Sequence, residues 1–450
     1  MLNHEYKDLY NQDSVNKKVL IEFDGGSITN SELYSEGIEI TERLCSESEL
    51  RFGSCESSVL KIKIANVVEQ LKGKWLTVSE TLGLDTANPF LFGKYKVVSD
   101  VPSGNRNYRE ITAYDALYDV LNTDVAAWYE SLKFPISQKA FRNSFFNYFG
   151  LEQKETVLIH DALIIEKTIE ANSISGKDVI TSLCELNGVF GHINRSGKFE
   201  YISLDKDDDY IPIQINKSLY KSCEYEDFVT QNISKLLIRQ EADDVGTSYG
   251  DGENCYIIEN NFLVYGKTTE EMNAICKKLF EKISKVSYRP FNAVIRGNPC
   301  YMVGDSLNIE TRYKTVSSYI LERRLTGLQA LFDDIQAQGV FEYDEDVNSV
   351  QKDVFRLKGK TNILQRDIER TRSEIKDVES GLRTEIEQTA SRFAVEVIGS
   401  VNLLRNYMTL DFPDYYFETQ TGDILLDENG AMIIDENGYV VFSFDMTQRS

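Results

Sequence analysis

The 450-residue sequence predicts an α+β protein that ends in a coiled coil and a short β-meander. Three patterns indicate this: β-prone runs separated by turns, helical segments between two such regions, and a long heptad repeat. The length leaves room for about three domains. We expect β-barrel-like domains at residues 1–122 and 231–340, flanking a small α/β domain at residues 123–230. A parallel trimeric coiled coil at residues 341–400 and a β tip at residues 401–450 complete the predicted architecture.

The N-terminal domain is predicted from short β-prone runs and the turns between them. The expected strands are residues 19–23, 60–64 and 95–98, and the expected turns are Asp24-Gly25-Gly26 and Ser103-Gly104-Asn105. Residues 110–121 then predict a strand that passes into a helix.

The middle domain is predicted to turn helical, most clearly at residues 137–149 and 176–186. The turn Asn194-Arg195-Ser196-Gly197 predicts a hairpin that joins residues 189–193 to residues 198–202. We interpret the acidic run at residues 205–209 as a solvated loop.

Strands are predicted again in the third domain, interrupted by one helix at residues 270–285. The expected strands are residues 234–239, 256–259, 292–296, 306–311 and 317–325. This region therefore predicts a second β-barrel-like domain.

A heptad seam runs from residue 347 to residue 382, with apolar side chains at alternating steps of three and four. Thr361 and Thr371 also occupy seam positions. A strict 3.5-residue period winds two or more helices into a left-handed coiled coil. The predicted oligomerisation core is Val347, Val350, Val354, Leu357, Leu364, Ile368, Ile375, Val378 and Leu382.

The composition of the seam and its flanking charges favour three parallel helices. β-branched residues at both core positions argue against a simple dimer. In a parallel register Asp353 faces Lys358 and Asp367 faces Arg372, while Glu374 opposite Glu379 is the one unfavourable pair. An amphipathic helix on a globular core, or an intramolecular hairpin, remains the alternative.

The C-terminal tip contains an internal repeat of eight residues, at 425–432 and 433–440. Each copy holds an Asn-Gly pair between apolar residues, a strong signal for hairpin turns. The acidic Asp-Glu-Asn-Gly groups lack EF-hand spacing, so turn chemistry is preferred over calcium binding.

Charge and cysteine usage exclude several classes of protein. The chain carries 49 basic and 72 acidic residues, which gives a net charge of −23. A protein this acidic is a poor candidate for binding nucleic acid tightly. An acidic wall is still compatible with surrounding DNA without holding it. Seven scattered cysteines without a CxxC pair predict reduced, mostly buried thiols and cytosolic assembly. Residues 1–11 lack a signal-peptide pattern, and no apolar run is long enough for a membrane span.

No residue is predicted to be catalytic, cofactor-binding or metal-binding. The three histidines, His4, His160 and His192, have no cysteine or histidine at metal-ligand spacing, and we interpret the latter two as satisfied structural residues. No nucleophile elbow, zinc-protease or P-loop motif occurs. A catalytic pair of carboxylates of the glycosidase type remains an open alternative, because the 72 acidic residues form many pairs.

Motifs spread over about 340 positions resemble the baseplate-hub and tail-associated structural proteins of tailed bacteriophages. Those similar to the family's first barrel are residues 27–30, 49–55, 60–66, 93–98 and 111–115 (Ile-Thr-Ala-Tyr-Asp). Those similar to its middle domain are residues 176–188 and 197–199, and those similar to its second barrel are residues 297–299 and 303–307 (Val-Gly-Asp-Ser-Leu). The order and spacing of these motifs carry the resemblance.

The resemblance implies a homotrimeric hub that closes the tail tube at the tail tip of the virion. It implies contacts with the distal tail protein and the tape measure protein, and a passage for DNA without specific binding. Larger relatives carry a lytic domain after the hub, whereas here only the coil and the tip follow. The alternatives are a receptor-binding tail fibre and a tail-associated cell-wall hydrolase. The host surface would be contacted through the tip.

Overall fold

Strands make up most of the regular structure in the described part of this chain. The computed structural model describes residues 6–341, except residues 7–8, 13–14, 84–88, 105, 170–173, 208 and 241–244. In the described part the strands are β1 (Lys17–Phe23), β2 (Gly26–Thr29), β3 (Leu33–Arg43), β4 (Val59–Ile64), β5 (Trp75–Leu82), β6 (Phe90–Pro102), β7 (Arg109–Tyr114), β8 (Ile136–Ser137), β9 (Ile164–Ile165), β10 (Phe190–Ile193), β11 (Phe199–Ile202), β12 (Ile213–Ile215), β13 (Tyr220–Tyr225), β14 (Lys235–Ile238), β15 (Thr247–Gly250), β16 (Cys255–Ile258), β17 (Phe291–Arg296), β18 (Ser306–Glu310), β19 (Thr315–Tyr319), β20 (Glu322–Thr326) and β21 (Phe332–Ala337). The helices are α1 (Leu117–Leu121), α2 (Ala126–Ser131), α3 (Gln138–Tyr148), α4 (Gly176–Leu186) and α5 (Thr269–Ile283), with a 3₁₀ turn at Phe262–Val264.

An eleven-stranded sheet joins the two ends of the described chain and curls into a half-barrel. Its strand order is β13-β17-β21-β20-β3-β4-β7-β6-β5-β1-β2. The N-terminal strands meet the C-terminal strands where β3 pairs antiparallel with β20, with Ile40 opposite Leu325. Strands predicted for the first and third domains thus lie in one sheet. The division into three domains stays a prediction.

Alternation of apolar and polar residues explains why the N-terminal segments form strands. In β4 the side chains of Leu60, Ile62 and Ile64 are buried, while those of Lys61 and Lys63 are exposed. Successive side chains of a strand point to opposite faces, so this pattern buries one face only. Each fully buried aliphatic side chain contributes about 1.5–3 kcal/mol. The predicted strands at residues 19–23, 60–64 and 95–98 are confirmed.

The central strand β3 was not predicted. Its sequence, LYSEGIEITER, holds four charged residues and one glycine, which are depleted in strands. The pairing with β4 shifts between Leu33 and Ile38, and a Cβ on Gly37 would lie 2.8 Å from the carbonyl oxygen of Tyr34. The glycine therefore permits an irregularity in a strand that tertiary pairing holds in place.

The prediction of a single strand at residues 317–325 was wrong. The chain forms two strands there, β19 and β20, separated by Ile320 and Leu321, which are both buried. β19 belongs to a three-stranded sheet of order β12-β18-β19, whereas β20 belongs to the eleven-stranded sheet. Two consecutive buried residues mark the point where the chain passes between the sheets.

The middle of the chain is helical as predicted, with α3 and α4 close to the expected bounds. Ser175 and Asp178 form a capping box that starts α4. The hairpin β10–β11 follows, with Ile193 opposite Phe199. Aromatic rings fill the core beside these helices; Trp128 lies 5.1 Å from both Phe141 and Phe145, measured between ring centroids.

A third small sheet, of order β15-β14-β16, carries α5 on one face. The capping box of Thr268 and Glu271 begins this helix, as the predicted start near residue 270 indicates. None of the described helices has the length and apolar character that crossing a membrane requires. The predicted coiled coil, except for Phe341, and the whole predicted tip lie outside the described residues.

Candidate functional site: a buried ionic junction

The nine predicted oligomerisation residues, from Val347 to Leu382, lie outside the described residues. The described part instead contains a cluster of buried charges where β3, β20 and β21 meet. We call Glu42, Arg323 and Asp333 the ionic junction. Sequence analysis did not identify it, because its members are 291 positions apart at the extremes and alternate with ordinary strand residues.

Arg323 lies at the centre of the ionic junction. It occupies an inward position of β20, where the alternation otherwise places apolar residues such as Leu325. Its Nε donates to Asp333 Oδ1 at 3.2 Å, and its second guanidinium nitrogen donates to the other oxygen of the same carboxylate. It also donates to the carbonyl oxygens of Tyr301 and, at 3.3 Å, of Asn298. A planar guanidinium suits this bidentate arrangement.

Glu42 faces Arg323 across the β3–β20 pairing. Its Oε2 lies 3.5 Å from a guanidinium nitrogen of Arg323, and its Oε1 lies 3.7 Å from Nε2 of His192 in β10. Burial alone would raise the pKa of Glu42, but interaction with His192 and Arg323 outweighs burial and holds that pKa at about 2. The carboxylate is therefore charged under all physiological conditions.

The same contacts act on the basic partners. Burial alone would lower the pKa of Arg323, but Asp333 and Glu42 raise it. Burial would also lower the pKa of His192. The nearby carboxylates raise that pKa, and Glu42 has the largest effect among them. The ionic junction therefore keeps opposite charges together inside the protein.

The ionic junction connects the N-terminal strands to the C-terminal strands, and His192 beside Glu42 links the middle hairpin to it. Replacing a buried ion pair by apolar residues is often neutral, but removing one partner costs about 3–5 kcal/mol. The consequence of the ionic junction is therefore that it specifies which strands pair with β20. β20 satisfies its buried arginine only when it lies between β3 and β21.

Asp115, the last residue of the Ile-Thr-Ala-Tyr-Asp motif, has a structural role. Its carboxylate accepts hydrogen bonds from the backbone N–H of Ser58 at 2.8 Å, the hydroxyl of Ser57 at 2.8 Å and the N–H of Leu117 at 3.0 Å. It thus joins the start of β4 to the start of α1. Burial raises its pKa above the ordinary value, and the charge of His192 and then the hydrogen bonds from Ser58 and Ser57 oppose that rise.

The Val-Gly-Asp-Ser-Leu motif forms a tight turn before a strand. Gly304 has φ +86°, and a Cβ there would lie 2.3 Å from Cγ2 of Ile202. Asp305 Oδ2 accepts from the N–H of Met302 at 2.9 Å, and β18 starts at the next residue. Only glycine fits this backbone conformation and this close contact.

The interpretation of His160 and His192 as satisfied residues was wrong in one respect. Both are buried, but Nε2 of His160 and both ring nitrogens of His192 have no hydrogen-bond partner in the described part of the chain. Burial and then the charges of Lys278 and Lys282 lower the pKa of His160 to about 4. His160 is therefore neutral at pH 7.

The expected state of the cysteines is confirmed. All seven are free thiols, and five of them are buried. Among the described residues, no group of three or more His, Cys, Asp or Glu side chains is placed to hold a metal ion.

Comparison with solved structures finds similar tail proteins. The chain is similar to the 43 kDa tail protein of prophage MuSo2 from Shewanella oneidensis, with 12% identity and a TM-score of 0.48, covering 71% of this chain and 98% of that one. A tail protein from Neisseria meningitidis MC58 has 10% identity and a TM-score of 0.45, covering 72% and 98% of the two chains. The prophage tail protein gp18 from Listeria monocytogenes EGD-e has 10% identity and a TM-score of 0.44, covering 72% and 95%. No protein-family model and no curated protein matches the sequence.

Proposed function

We propose that this chain is a structural component of a bacteriophage tail tip or baseplate, a trimeric hub that closes the tail tube. The observation that carries the proposal is the unbroken heptad seam from Val347 to Leu382. A seam of this kind requires partner helices to bury its apolar positions. The motifs similar to baseplate-hub proteins, in the same order before the seam, support the assignment to a tail.

The fold of the residues before the seam supports a role in transmitting mechanical force. β21, the last described strand, ends at Ala337 and lies inside the eleven-stranded sheet, ten residues before the seam begins. Both ends of the described chain are therefore joined through continuous strand pairing. A force applied to the coil would act on that sheet, which is what a link between a tail tube and a host-facing tip requires.

In the proposed assembly the hub lies in the virion at the tail tip, after assembly in the host cytoplasm. Its partners are the distal tail protein and the tape measure protein, and residues 401–450 face the host surface. DNA passes without specific binding, because a chain of net charge −23 repels phosphate. The chain has no catalytic activity of its own in this proposal.

The mass of the full-length protein in solution tests the trimer. Light scattering should give about 155 kDa, three times the 51.5 kDa of one chain. Ile368→Asp with Ile375→Asp places six charges in the core of a trimer, each costing several kcal/mol when unpaired, and should give monomers. Ser373→Asp with Ser380→Asp adds the same charge at outward positions of the heptad and should leave the trimer intact.

A monomeric wild-type chain in solution would refute the proposal that the chain forms a trimeric hub. Wall-clearing assays test the non-enzymatic part of the proposal. Release of sugar or peptide fragments from bacterial cell walls, abolished by substitution of one acidic pair, would establish a hydrolase instead.

A further inference from the structure

A cleft of about 530 Å³ runs beside α4. One wall is the face of α4 that carries Lys177, Thr181 and Glu185, and the opposite wall is formed by residues 259–265. From Lys177 to Glu185 the helix rises about 12 Å. The volume falls in the range of about 300–1,000 Å³ typical of binding sites.

The Glu185 carboxyl is held in place at one end of this cleft. Its Oε2 accepts a hydrogen bond from Nδ2 of Asn261 at 2.8 Å. Asn261 is itself fixed, because it donates to the carbonyl oxygen of Ser182 at 3.0 Å and accepts from the N–H of Leu263 at 3.3 Å. The preceding residue, Asn260, adopts a left-handed backbone with φ +61°. The carboxyl is thus positioned by a short, constrained loop.

Glu185 has no cation in contact within the part of the chain that the structure describes. Burial raises its pKa to about 7, and the hydrogen bond from Asn261 and the charge of Arg51 offset this only in part. Among the described residues, none forms an ion pair with Glu185, whereas Glu259 on the opposite wall is paired with Arg239. A half-buried carboxyl held by one amide retains acceptor capacity for a further donor.

The remaining lining sets the character of a ligand. Ile169, Ile174 and Phe262 supply apolar surface, and Asp178 is a second carboxylate, already engaged by the backbone N–H of Ser175 at 2.9 Å. Among the described residues of the lining, Lys177 is the one basic side chain. Acidic groups therefore outnumber basic ones beside an apolar surface.

We propose that this cleft binds a basic side chain, arginine or lysine, carried by an extended segment of another protein. The cation pairs with Glu185, and its methylene stem and a neighbouring apolar side chain pack on Ile169, Ile174 and Phe262. A length of about 12 Å accommodates three or four extended residues at about 3.3 Å each, which favours a peptide segment over a small amine. This proposal does not depend on the trimer.

Saturation-transfer NMR with the full-length protein tests the cleft, using acetyl-Leu-Arg-Leu-amide as the probe. The blocked peptide keeps its charge between pH 6 and pH 8. The charged groups that face Glu185 or the cleft are Arg51, Lys177, Asp178 and Glu259. Peptide affinity should rise about tenfold from pH 6 to pH 8, as Glu185 ionises.

Glu185→Gln should flatten this pH profile and lower the affinity at pH 8 about tenfold, while Glu270→Gln, an exposed carboxylate on α5, should change neither. Thermal unfolding confirms that both variants fold. Absence of saturation transfer at millimolar peptide, equal binding of acetyl-Leu-Glu-Leu-amide, or an unchanged profile in Glu185→Gln would each overturn the proposal. Binding of butylguanidinium without binding of the peptide would also overturn it, in favour of a small-amine site.

Discussion

Two arginine–aspartate pairs lie side by side on the same two strands and occupy opposite faces of the sheet. Arg323 and Asp333 point inward, with side chains 1% and 0% exposed. Arg324 and Asp334 point outward, with side chains 52% and 32% exposed, and Nε of Arg324 lies 3.1 Å from Oδ2 of Asp334. The two pairs have the same chemistry in adjacent positions.

The comparison teaches that burial decides what an ion pair does. The exposed pair competes with water and is screened by salt, so it contributes about 0–1 kcal/mol. The buried pair contributes little net stability relative to an apolar replacement, but neither partner tolerates the loss of the other. The inward pair therefore selects the strand pairing, and the outward pair mainly maintains a polar surface.

The largest expected effect is the loss of one partner of the buried pair. Arg323→Met leaves Asp333 and Glu42 buried without their cation and should lower the free energy of unfolding by about 3–5 kcal/mol. Chemical denaturation of the full-length protein measures this. Adding Asp333→Leu to Arg323→Met should recover part of the loss. If Arg323→Met and Arg324→Met cost the same, burial would not be the deciding factor.

A second, smaller effect concerns a buried carboxyl, Glu80, that forms no ion pair with any described residue. Glu80 is 1% exposed, and its Oε2 accepts from the Tyr10 hydroxyl at 2.7 Å. Burial raises its pKa to about 7, which the hydrogen bond from Tyr10 and the charge of Lys17 offset only in part, in contrast to about 2 for Glu42. Folded protein then holds this proton more tightly than unfolded protein, so stability falls as pH rises from about 4.5 to about 7.

Glu80→Gln should remove this loss. The variant should match the wild type near pH 4 and exceed it by about 3–3.5 kcal/mol at pH 8, because the window from about pH 4.5 to about pH 7 contributes about 1.4 kcal/mol per pH unit. Denaturation curves across this range measure the difference, with the exposed Glu22→Gln as control. A gain that is independent of pH would show that proton linkage is not the cause.

The smallest expected effect is on the exposed pair. Arg324→Met should change the free energy of unfolding by less than about 1 kcal/mol. Raising the salt concentration from 0.05 M to 1 M should erase most of that difference, because the Debye length falls to about 3 Å at 1 M. The cost of Arg323→Met should persist in the same salt. Equal salt sensitivity of the two variants would contradict the comparison.

Local chemistry was readable from the sequence in many places. The hairpin at Asp24-Gly25-Gly26, the helix α4 with its Ser175 cap, and the turn at Gly304 all depend on residues a few positions apart. The eleven-residue strand β3 could not be predicted from the sequence, because its charged residues and Gly37 have low strand preference. Pairing with β4 and β20 overrides that local preference.

The candidate sites were less predictable than the fold. Nothing in the sequence distinguishes Arg323 from Arg324, or Asp333 from Asp334, before the register of β20 and β21 is known. Glu185 likewise reads as one more acidic residue of a helix. Burial in the folded chain raises its pKa, and the hydrogen bond from Asn261, which lies 76 positions away in the sequence, offsets part of that rise.

The sequence by itself determined the short-range features of this protein: the turns, the helix caps, the reduced cysteines and the heptad pattern after residue 346. These features depend on residue type and spacing, which need no partner from elsewhere in the chain. The tertiary structure alone decided that strands from both ends share one sheet, and which of two adjacent arginines is buried. The physical reason is that the burial of a charge, and so its pKa and its energy, depends on neighbours that only long-range pairing brings together.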